Sequence, residues 1–320
     1  MKRNGAGSSR TPCTLLLSVT LVVSGFALMD ARVARTQVTD TIGQSYYLNA
    51  KPLLDYPLPD LLNAAPELQG LEPAKNQDEL PSILDKVGTV TKDLMDAMPN
   101  LVSHEEVTEQ RLRASGKVAA HRQLEFEYMI LVHREGPIIS LDEYRTGTAG
   151  NQGEASEVEQ GFMLTRGFAS AWEHFLPSVQ AAARFRYLGQ QTFNGLRCYV
   201  LAFAQKPGSA TIIGRFSYSY GLKSVCILYQ GIAWIDAANF RILRLRTDLL
   251  APRPDIGLER QTTVLQLGEI RLPQVVSPLW LPQQVTLTAD SGQEHFRNLH
   301  SYSGYRLFKV ESKILPAGPD

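Results

Sequence analysis

Hydrophobic and polar residues alternate along most of the chain beyond residue 105, as in β-strands that bury one face. Phe126, Tyr128 and Ile130 fall on one side of such a strand, while Glu125 and Glu127 fall on the other. The same period of two predicts strands at about 138–146, 184–192, 196–205, 225–236, 239–249, 261–272, 282–290 and 294–312. Short strands joined mostly by tight connections are typical of an antiparallel meander.

The connections between these strands differ in character. Turn-forming residues at 191–195 and 236–239 predict two hairpin turns. The region 206–224 is rich in glycine and tyrosine without clear periodicity, which predicts a long loop. The segment 157–182 lacks alternation, and its apolar spacing predicts a helix that Pro177 ends.

A helix over residues 82–98 precedes the strands. Ser82 and Asp85 form a capping-box pattern, and Pro99 ends the periodic segment. Apolar residues recur at helical spacing, and this stripe consists of Ile83, Val87, Val90, Leu94 and Ala97. One helix before the sheet and one within it predict an α+β domain.

Proline is concentrated between the N-terminus and this helix. The segment 28–81 contains Pro52, Pro57, Pro59, Pro66, Pro73 and Pro81. Because proline removes backbone donors and interrupts helices, we predict an extended arm. Leucines at 53, 54, 61, 62 and 68 are consistent with a short helix at about 59–64 that packs on the folded domain.

The strand predicted at 225–236 is apolar on both faces. Ile232 and Trp234 share one face, and Ala233 and Ile235 share the other. A sheet buried on both sides needs a cover on each. Helices can supply one cover, and a ligand cavity, a protein partner or the Pro-rich arm can supply the second.

The first 27 residues have the form of a secretory signal. Lys2, Arg3 and Arg10 precede an uncharged run from Thr11 to Met29, and Gly25-Phe26-Ala27 fits the small-residue cleavage rule. The alternative is an uncleaved anchor, since about 19 apolar or uncharged residues can just span a bilayer. We predict an exported periplasmic or extracellular protein without a stable transmembrane anchor after cleavage.

Composition and charge exclude some classes of protein. The chain is 44% hydrophobic, enough for a packed core, so disorder throughout is excluded. The chain has 32 Lys and Arg residues and 32 Asp and Glu residues, and cleavage after Ala27 leaves 29 basic residues. It therefore has no net positive charge that would favour binding of nucleic acid. Cys198 and Cys226 remain, either as a disulfide in an oxidising compartment or as buried thiols.

No established catalytic or metal-binding motif is present. The chain lacks G-x-S-x-G, H-E-x-x-H, G-x-G-x-x-G and P-loop patterns. His295 and His300 are five residues apart, which places them on opposite faces of a strand. A hydrolase would need His133 or His174 to meet a nucleophile and an orienting acid, so we predict no enzyme, no metal and no cofactor.

Short segments of the chain carry a family resemblance. Residues 231–236, with Trp234-Ile235-Asp236, and 240–245 resemble a strand–turn–strand unit of the outer-membrane lipoprotein carrier (LolA-like) superfamily. Segments 279–287 and 302–308 are similar to later strands of that half-barrel. The arrangement also resembles uncharacterised secreted bacterial proteins in which a stretch such as 99–108 opens the sheet.

The resemblance covers about residues 82–312 and implies an open, curved antiparallel half-barrel with helices on its concave face. Members bind acyl chains of lipoproteins or other lipophilic molecules there, or sense envelope proteins, without catalysis. The predicted organisation is a signal peptide at 1–27, a Pro-rich arm at 28–81 and the half-barrel at 82–320.

The leading functional hypothesis is a non-enzymatic envelope protein that binds a lipophilic ligand, or an acylated or apolar protein segment, in the half-barrel cavity. The expected partner is a lipid or a lipoprotein acyl chain. The residues predicted to line the wall are Phe126, Tyr128, Ile130, Trp234, Val285 and Leu287. The alternative is a structural or interaction module with a plugged cavity, whose arm reaches an envelope protein.

Overall fold

Eleven antiparallel strands form one curved sheet in the computed structural model, which describes residues 41–136, 138–147, 168–210, 214–218 and 223–308. The fold is α+β, and the sheet is an open half-barrel because its edge strands β1 and β4 do not pair with each other. The described residues form one compact unit. The predicted signal peptide at 1–27 lies outside the described residues.

The main sheet contains all strands except a separate β7–β8 hairpin. In chain order the strands are β1 (Glu72–Pro73), β2 (Leu101–Leu112), β3 (Val118–Glu135), β4 (Ile138–Gly147), β5 (Ala183–Phe193), β6 (Leu196–Gln205), β7 (Gly214–Tyr218), β8 (Lys223–Ile227), β9 (Tyr229–Asp236), β10 (Ile242–Leu249), β11 (Leu258–Ile270), β12 (Leu279–Ser291) and β13 (Glu294–Leu307).

Two meanders join to make this sheet. Its strand order is β1-β5-β6-β9-β10-β11-β12-β13-β2-β3-β4. The chain builds β2 to β4, crosses to the opposite edge and returns strand by strand to β13, which pairs with β2. Side chains from β2, β3, β4 and β13 are therefore neighbours although they are far apart in sequence.

One face of the sheet, here called the helix face, is covered by short and long helices. They are α3 (Leu80–Ala97), a 3-10 turn (Ala171–Phe175) and α4 (Pro177–Gln180). Ile83 and Val87 of α3 pack with Trp172 and Phe175 onto a core that includes Phe203. The predicted helix at 82–98 is thus confirmed, with bounds shifted by one or two residues.

The opposite face, here called the arm face, is covered by the proline-rich arm. The arm contains α1 (Thr41–Leu48), α2 (Leu58–Ala64) and 3-10 turns at Leu53–Asp55 and Pro66–Leu68. Leu61 and Leu68 are fully buried and belong to one apolar cluster with Val200, Ile232 and Trp234 of the sheet. The sequence left three alternatives for the cover of the second face, namely a ligand cavity, a protein partner and the arm. In the structure the arm covers this face.

The described part of the arm is not extended throughout, contrary to the prediction for 28–81. The short helix expected at 59–64 is present as α2 (Leu58–Ala64), and α1 adds a second. Proline lies in the first turn of α2, of the 3-10 turn Pro66–Leu68 and of α3. At those positions its missing N–H is no loss, so proline starts helices here.

Three further expectations need correction. Pro177 begins α4 instead of ending a helix, for the same reason. The predicted loop 206–224 contains β7, and the single strand expected at 225–236 is divided into β8 and β9. Both predicted hairpin turns are confirmed, between β5 and β6 and between β9 and β10.

Neither cysteine of the folded unit forms a disulfide. Cys198 is buried and free, and Cys226 is free and half-buried. Burial raises the pKa of the Cys198 thiol to about 11. In the stretches that the structure describes, no helix has both the length and the apolar character needed to cross a bilayer.

Candidate functional site

The six predicted wall residues are all buried but do not form one surface. Tyr128, Ile130 and Val285 belong to the helix-face core. Phe126 and Leu287 are also buried, outside that cluster.

Trp234 lies on the arm face, where its indole N–H donates to Gln191 Oε1 at 2.7 Å. It therefore cannot share a wall with Tyr128. The alternating pattern of β9 identified two faces correctly, but both are apolar, so it did not indicate which face adjoins the helices.

A cavity of about 300 Å³ lies beside the second half of α3. Its walls come from α3, the Ala171–Phe175 turn, β10, β11, β12 and the turn before β10. None of the six predicted wall residues lines it. The aliphatic side chains that do are Val90, Leu94, Ala97, Ile242, Leu267 and Leu279. We call this space the α3 cavity.

The apolar stripe of α3 divides between core and cavity. Ile83 and Val87, in the first half of the helix, are buried against the sheet. Val90 and Leu94 are half-buried, Ala97 is exposed, and all three line the α3 cavity. The spacing i, i+4, i+7 places these three residues on one helix face, so the second half of the stripe has an apolar surface that the protein does not fully cover.

Two tryptophans add polar groups to the lining. Trp172 and Trp280 both line the α3 cavity, and in the described part of the chain neither buried indole N–H has a hydrogen-bond partner. An unsatisfied buried donor costs about 1–3 kcal/mol. Arg241, also at the cavity, stacks its guanidinium 5.1 Å from the Trp280 ring centroid and lies 3.6 Å from Glu269. The lining thus combines aliphatic surface with polar groups, which include the carboxylate of Asp93.

A second feature of the half-barrel is a buried charged cluster that sequence reasoning missed. Arg145 of β4 forms a two-point ion pair with Glu105 of β2, and Glu105 also accepts hydrogen bonds from His300 at 2.9 Å and Tyr302 at 2.7 Å. Glu105 and His300 have no exposed side-chain surface. Burial lowers the pKa of His300 in spite of its contact with Glu105, so the imidazole is neutral near pH 7.

A signal for this cluster was present in the alternation of β13. Its alternate residues Phe296, Asn298, His300 and Tyr302 are all buried. The apolar residues of this set identify the inner face, so His300 had to be an inner residue with a partner. The prediction that His295 and His300 occupy opposite faces is consistent with the contact of His295 with Asp290.

Glu143 of β4 holds the segment before the Ala171–Phe175 turn against the sheet by hydrogen bonds. Its carboxylate accepts the backbone N–H groups of Phe168, Ala169 and Ser170 at 2.9, 3.1 and 3.2 Å, and it also accepts the hydroxyl of Tyr128. Residues 168–170 lead directly into the Ala171–Phe175 turn, which contains Trp172. Glu143 therefore positions one wall of the α3 cavity.

Neither histidine that the sequence offered for a hydrolase lines the α3 cavity. Burial lowers the pKa of His174 to about 4, so it is a neutral ring packed 4.9 Å from the Phe203 ring. His133 is half exposed and contacts Asp142 at 2.9 Å. Among the described residues, no group of three or more His, Cys, Asp or Glu side chains is placed to hold a metal ion.

Comparisons with known proteins give weak similarities in fold. No protein-family model and no curated protein matches the chain. A putative outer-membrane lipoprotein-sorting protein domain from Vibrio parahaemolyticus is 13% identical, with 72% of this chain and 94% of that chain covered and a TM-score of 0.39.

Two further solved structures are similar at the same level. A DUF1329 family protein from Desulfovibrio piger is 14% identical over 73% of this chain and 95% of that chain, with a TM-score of 0.37. The LolA superfamily protein NE2245 from Nitrosomonas europaea is 11% identical over 72% and 94%, with a TM-score of 0.31. The function of this chain is inferred below from its own cavity.

Proposed function

We propose that this chain is a non-enzymatic protein of the bacterial envelope that binds a lipophilic ligand in the α3 cavity. The observation that carries the proposal is the second half of the α3 stripe, where Val90, Leu94 and Ala97 line unfilled space. A volume of about 300 Å³ is at the lower end for small-molecule pockets. Binding is driven by removal of this apolar surface from water.

The ligand also carries a hydrogen-bond acceptor. The indole N–H groups of Trp172 and Trp280 lack acceptors within the described structure, and both side chains line the cavity. A carboxylate or ester oxygen supplies what they lack. An acyl chain with its carboxyl or ester group combines both properties, and the secretory pattern at residues 1–27 supports an envelope location.

The test measures binding of the fluorescent fatty acid cis-parinaric acid to the delipidated protein. Leu94→Asp puts a charge into the cavity wall from a half-buried position, and Thr89→Asp puts the same charge on the exposed side of α3. We expect saturable binding by the wild type, at least about tenfold weaker binding by Leu94→Asp and unchanged binding by Thr89→Asp. Absence of saturable binding, or equal affinity of the two variants, contradicts the proposal.

A further inference from the structure

The sheet divides between β12 and β13. These strands pair from Ser291 opposite Glu294 as far as Gln284 opposite Ser301. Beyond that point β12 continues only with β11, and β13 continues only with β2. The two strands therefore separate and leave a wedge-shaped opening, here called the β12–β13 cleft.

Local backbone features explain why the strands separate there. Gln283 is an extra, unpaired residue in β12, because Gln266 faces Gln284 while the next residue, Leu267, faces Pro282. Pro282 has no N–H to donate to a neighbouring strand. On the other side of the cleft, the register of β13 shifts between Ser303 and Arg306, and Gly304 has a φ of 61°. Bulges of this kind end strand pairing and redirect side chains, often beside functional sites.

The cleft contains a cavity of about 330 Å³ with an uncharged polar lining. Amides come from Gln266, Gln283 and Gln284, and hydroxyls come from Ser301 and Ser303. The remaining residues of the lining are Ile270, Tyr302, Gly304 and Tyr305. None of the described residues that line this cavity carries a charge.

The Gln283 amide lies in a space that exists only because residue 268 is a glycine. A β-carbon at Gly268 would lie 2.2 Å from Cδ of Gln283, closer than any side chain permits. The glycine therefore provides the space in which the bulge residue Gln283 lies across β11. The bulge and the glycine together place an amide at the cleft.

We infer that the β12–β13 cleft binds an uncharged saccharide. Amide and hydroxyl groups donate and accept hydrogen bonds, as sugar hydroxyls do. The lining offers five such side chains and no charge to pair with an ionic ligand. Tyr305, which is half-buried, adds aromatic surface for the apolar face of a sugar ring. This site is separate from the α3 cavity and does not depend on lipid binding.

An extended peptide fits the cleft less well. Strand addition requires free backbone donors and acceptors along a sheet edge. At the centre of the β12 edge Pro282 has no N–H, and its carbonyl oxygen already accepts the Tyr305 hydroxyl at 2.7 Å. At Pro282 the strand therefore offers an added peptide neither a backbone donor nor a free acceptor.

The test uses the mature protein and three neutral trisaccharides, namely chitotriose, maltotriose and cellotriose. Saturation-transfer NMR detects binding, and titration calorimetry measures affinity. Gln284→Ala removes one cleft amide, and Gly268→Ala displaces the Gln283 amide. The matched control is Gln274→Ala, which removes an exposed amide from the loop between β11 and β12. Near-UV circular dichroism establishes that each variant is folded.

We expect at least one trisaccharide to bind, with affinity about three- to tenfold lower for Gln284→Ala and unchanged for Gln274→Ala. Gly268→Ala weakens binding of the same sugar. The inference is overturned if none of the three sugars binds at millimolar concentration, or if Gln284→Ala and Gln274→Ala bind equally. It is also overturned if a neutral octapeptide of alternating Thr and Val binds while the sugars do not.

Discussion

The carboxylate of Glu105 and the guanidinium of Arg145 form an ion pair inside the half-barrel, with Nη2 of Arg145 2.7 Å from Oε1 of Glu105. The two residues lie on β2 and β4, on either side of β3, and both side chains are buried. His300 and Tyr302 of β13 complete the hydrogen bonding of the carboxylate. The cluster therefore connects strands from the beginning and the end of the folded chain.

Glu105→Gln is expected to destabilise the protein by about 3–5 kcal/mol, because it removes the buried carboxylate that pairs with the buried charge of Arg145. Urea unfolding measures the change. Glu127→Gln is the matched control, since Glu127 lies on β3 in an exposed pair with Arg306. Its expected effect is about 0–1 kcal/mol. Equal effects of the two variants would show that burial of the Glu105 pair has no energetic importance.

Acid is expected to weaken the same cluster. Burial acts to raise the pKa of Glu105, but the His300 hydrogen bond and the Arg145 charge outweigh it and lower the pKa from 4.5 to about 2. The stabilisation from this group is complete above pH 4.5 and is lost as the pH falls towards 2. The free energy of unfolding of the wild type should therefore fall more steeply over this range than that of Glu105→Gln. Parallel curves for the two proteins would contradict this assignment.

The stabilising effect of Glu173 should have the opposite pH dependence to that of Glu105. Burial and the neighbouring Glu143 carboxylate raise its pKa from 4.5 to about 7. The folded state favours protonated Glu173, so its stabilising effect is present below pH 4.5 and is lost as the pH rises through 7. Glu173→Gln should raise the Tm by a few degrees at pH 8 and leave it unchanged at pH 4. Exposed Glu135→Gln is the control, and an equal gain at both pH values rules out the titration of Glu173 as the cause.

The arm is expected to contribute to the stability of the whole domain. Leu61 of α2 is fully buried against the arm face, so Leu61→Ala should cost about 2–5 kcal/mol. Leu48→Ala makes the same change at a residue that is 76% exposed and should have little effect. Binding of a hydrophobic dye should increase for Leu61→Ala alone, and limited proteolysis should cleave its arm faster. A stable Leu61→Ala protein would show that the arm is a passive cover.

Trp172→Phe separates the polar and apolar parts of ligand binding in the α3 cavity. The substitution keeps a large ring and removes the indole N–H, which has no protein partner in the described structure. Affinity for dodecanoic acid should fall about three- to tenfold, the effect of one hydrogen bond. Affinity for dodecane, which has neither an acceptor nor a charge, should stay the same. Equal losses for both ligands would indicate a change in cavity shape instead.

Local sequence patterns predicted most of the elements because they depend on neighbouring residues. The helix at 82–98, most of the strands and both hairpin turns follow from period and turn chemistry. The same local reasoning was wrong at proline. Pro66 and Pro177 each occur in the first turn of a helical segment, although proline in the interior would have ended it.

The candidate site was less accessible to such reasoning. The apolar stripe of α3 was recognised as one face, yet its first half is core and its second half lines a cavity. Leu94 and Val87 are equivalent in a helical pattern. They differ because the Ala171–Phe175 turn and the sheet cover Val87 completely and Leu94 only in part, which depends on tertiary packing.

The sequence by itself determined the period of each element, the two apolar faces of β9 and the presence of an unusually apolar arm, since side-chain direction alternates along any strand. Only the tertiary structure decided that the arm covers one face, that Trp234 belongs to it, and that Glu105 meets His300 across 195 residues of chain. The physical reason is that strand order brings distant residues together through pairing. The alternation within one strand contains no information about which strand will lie beside it.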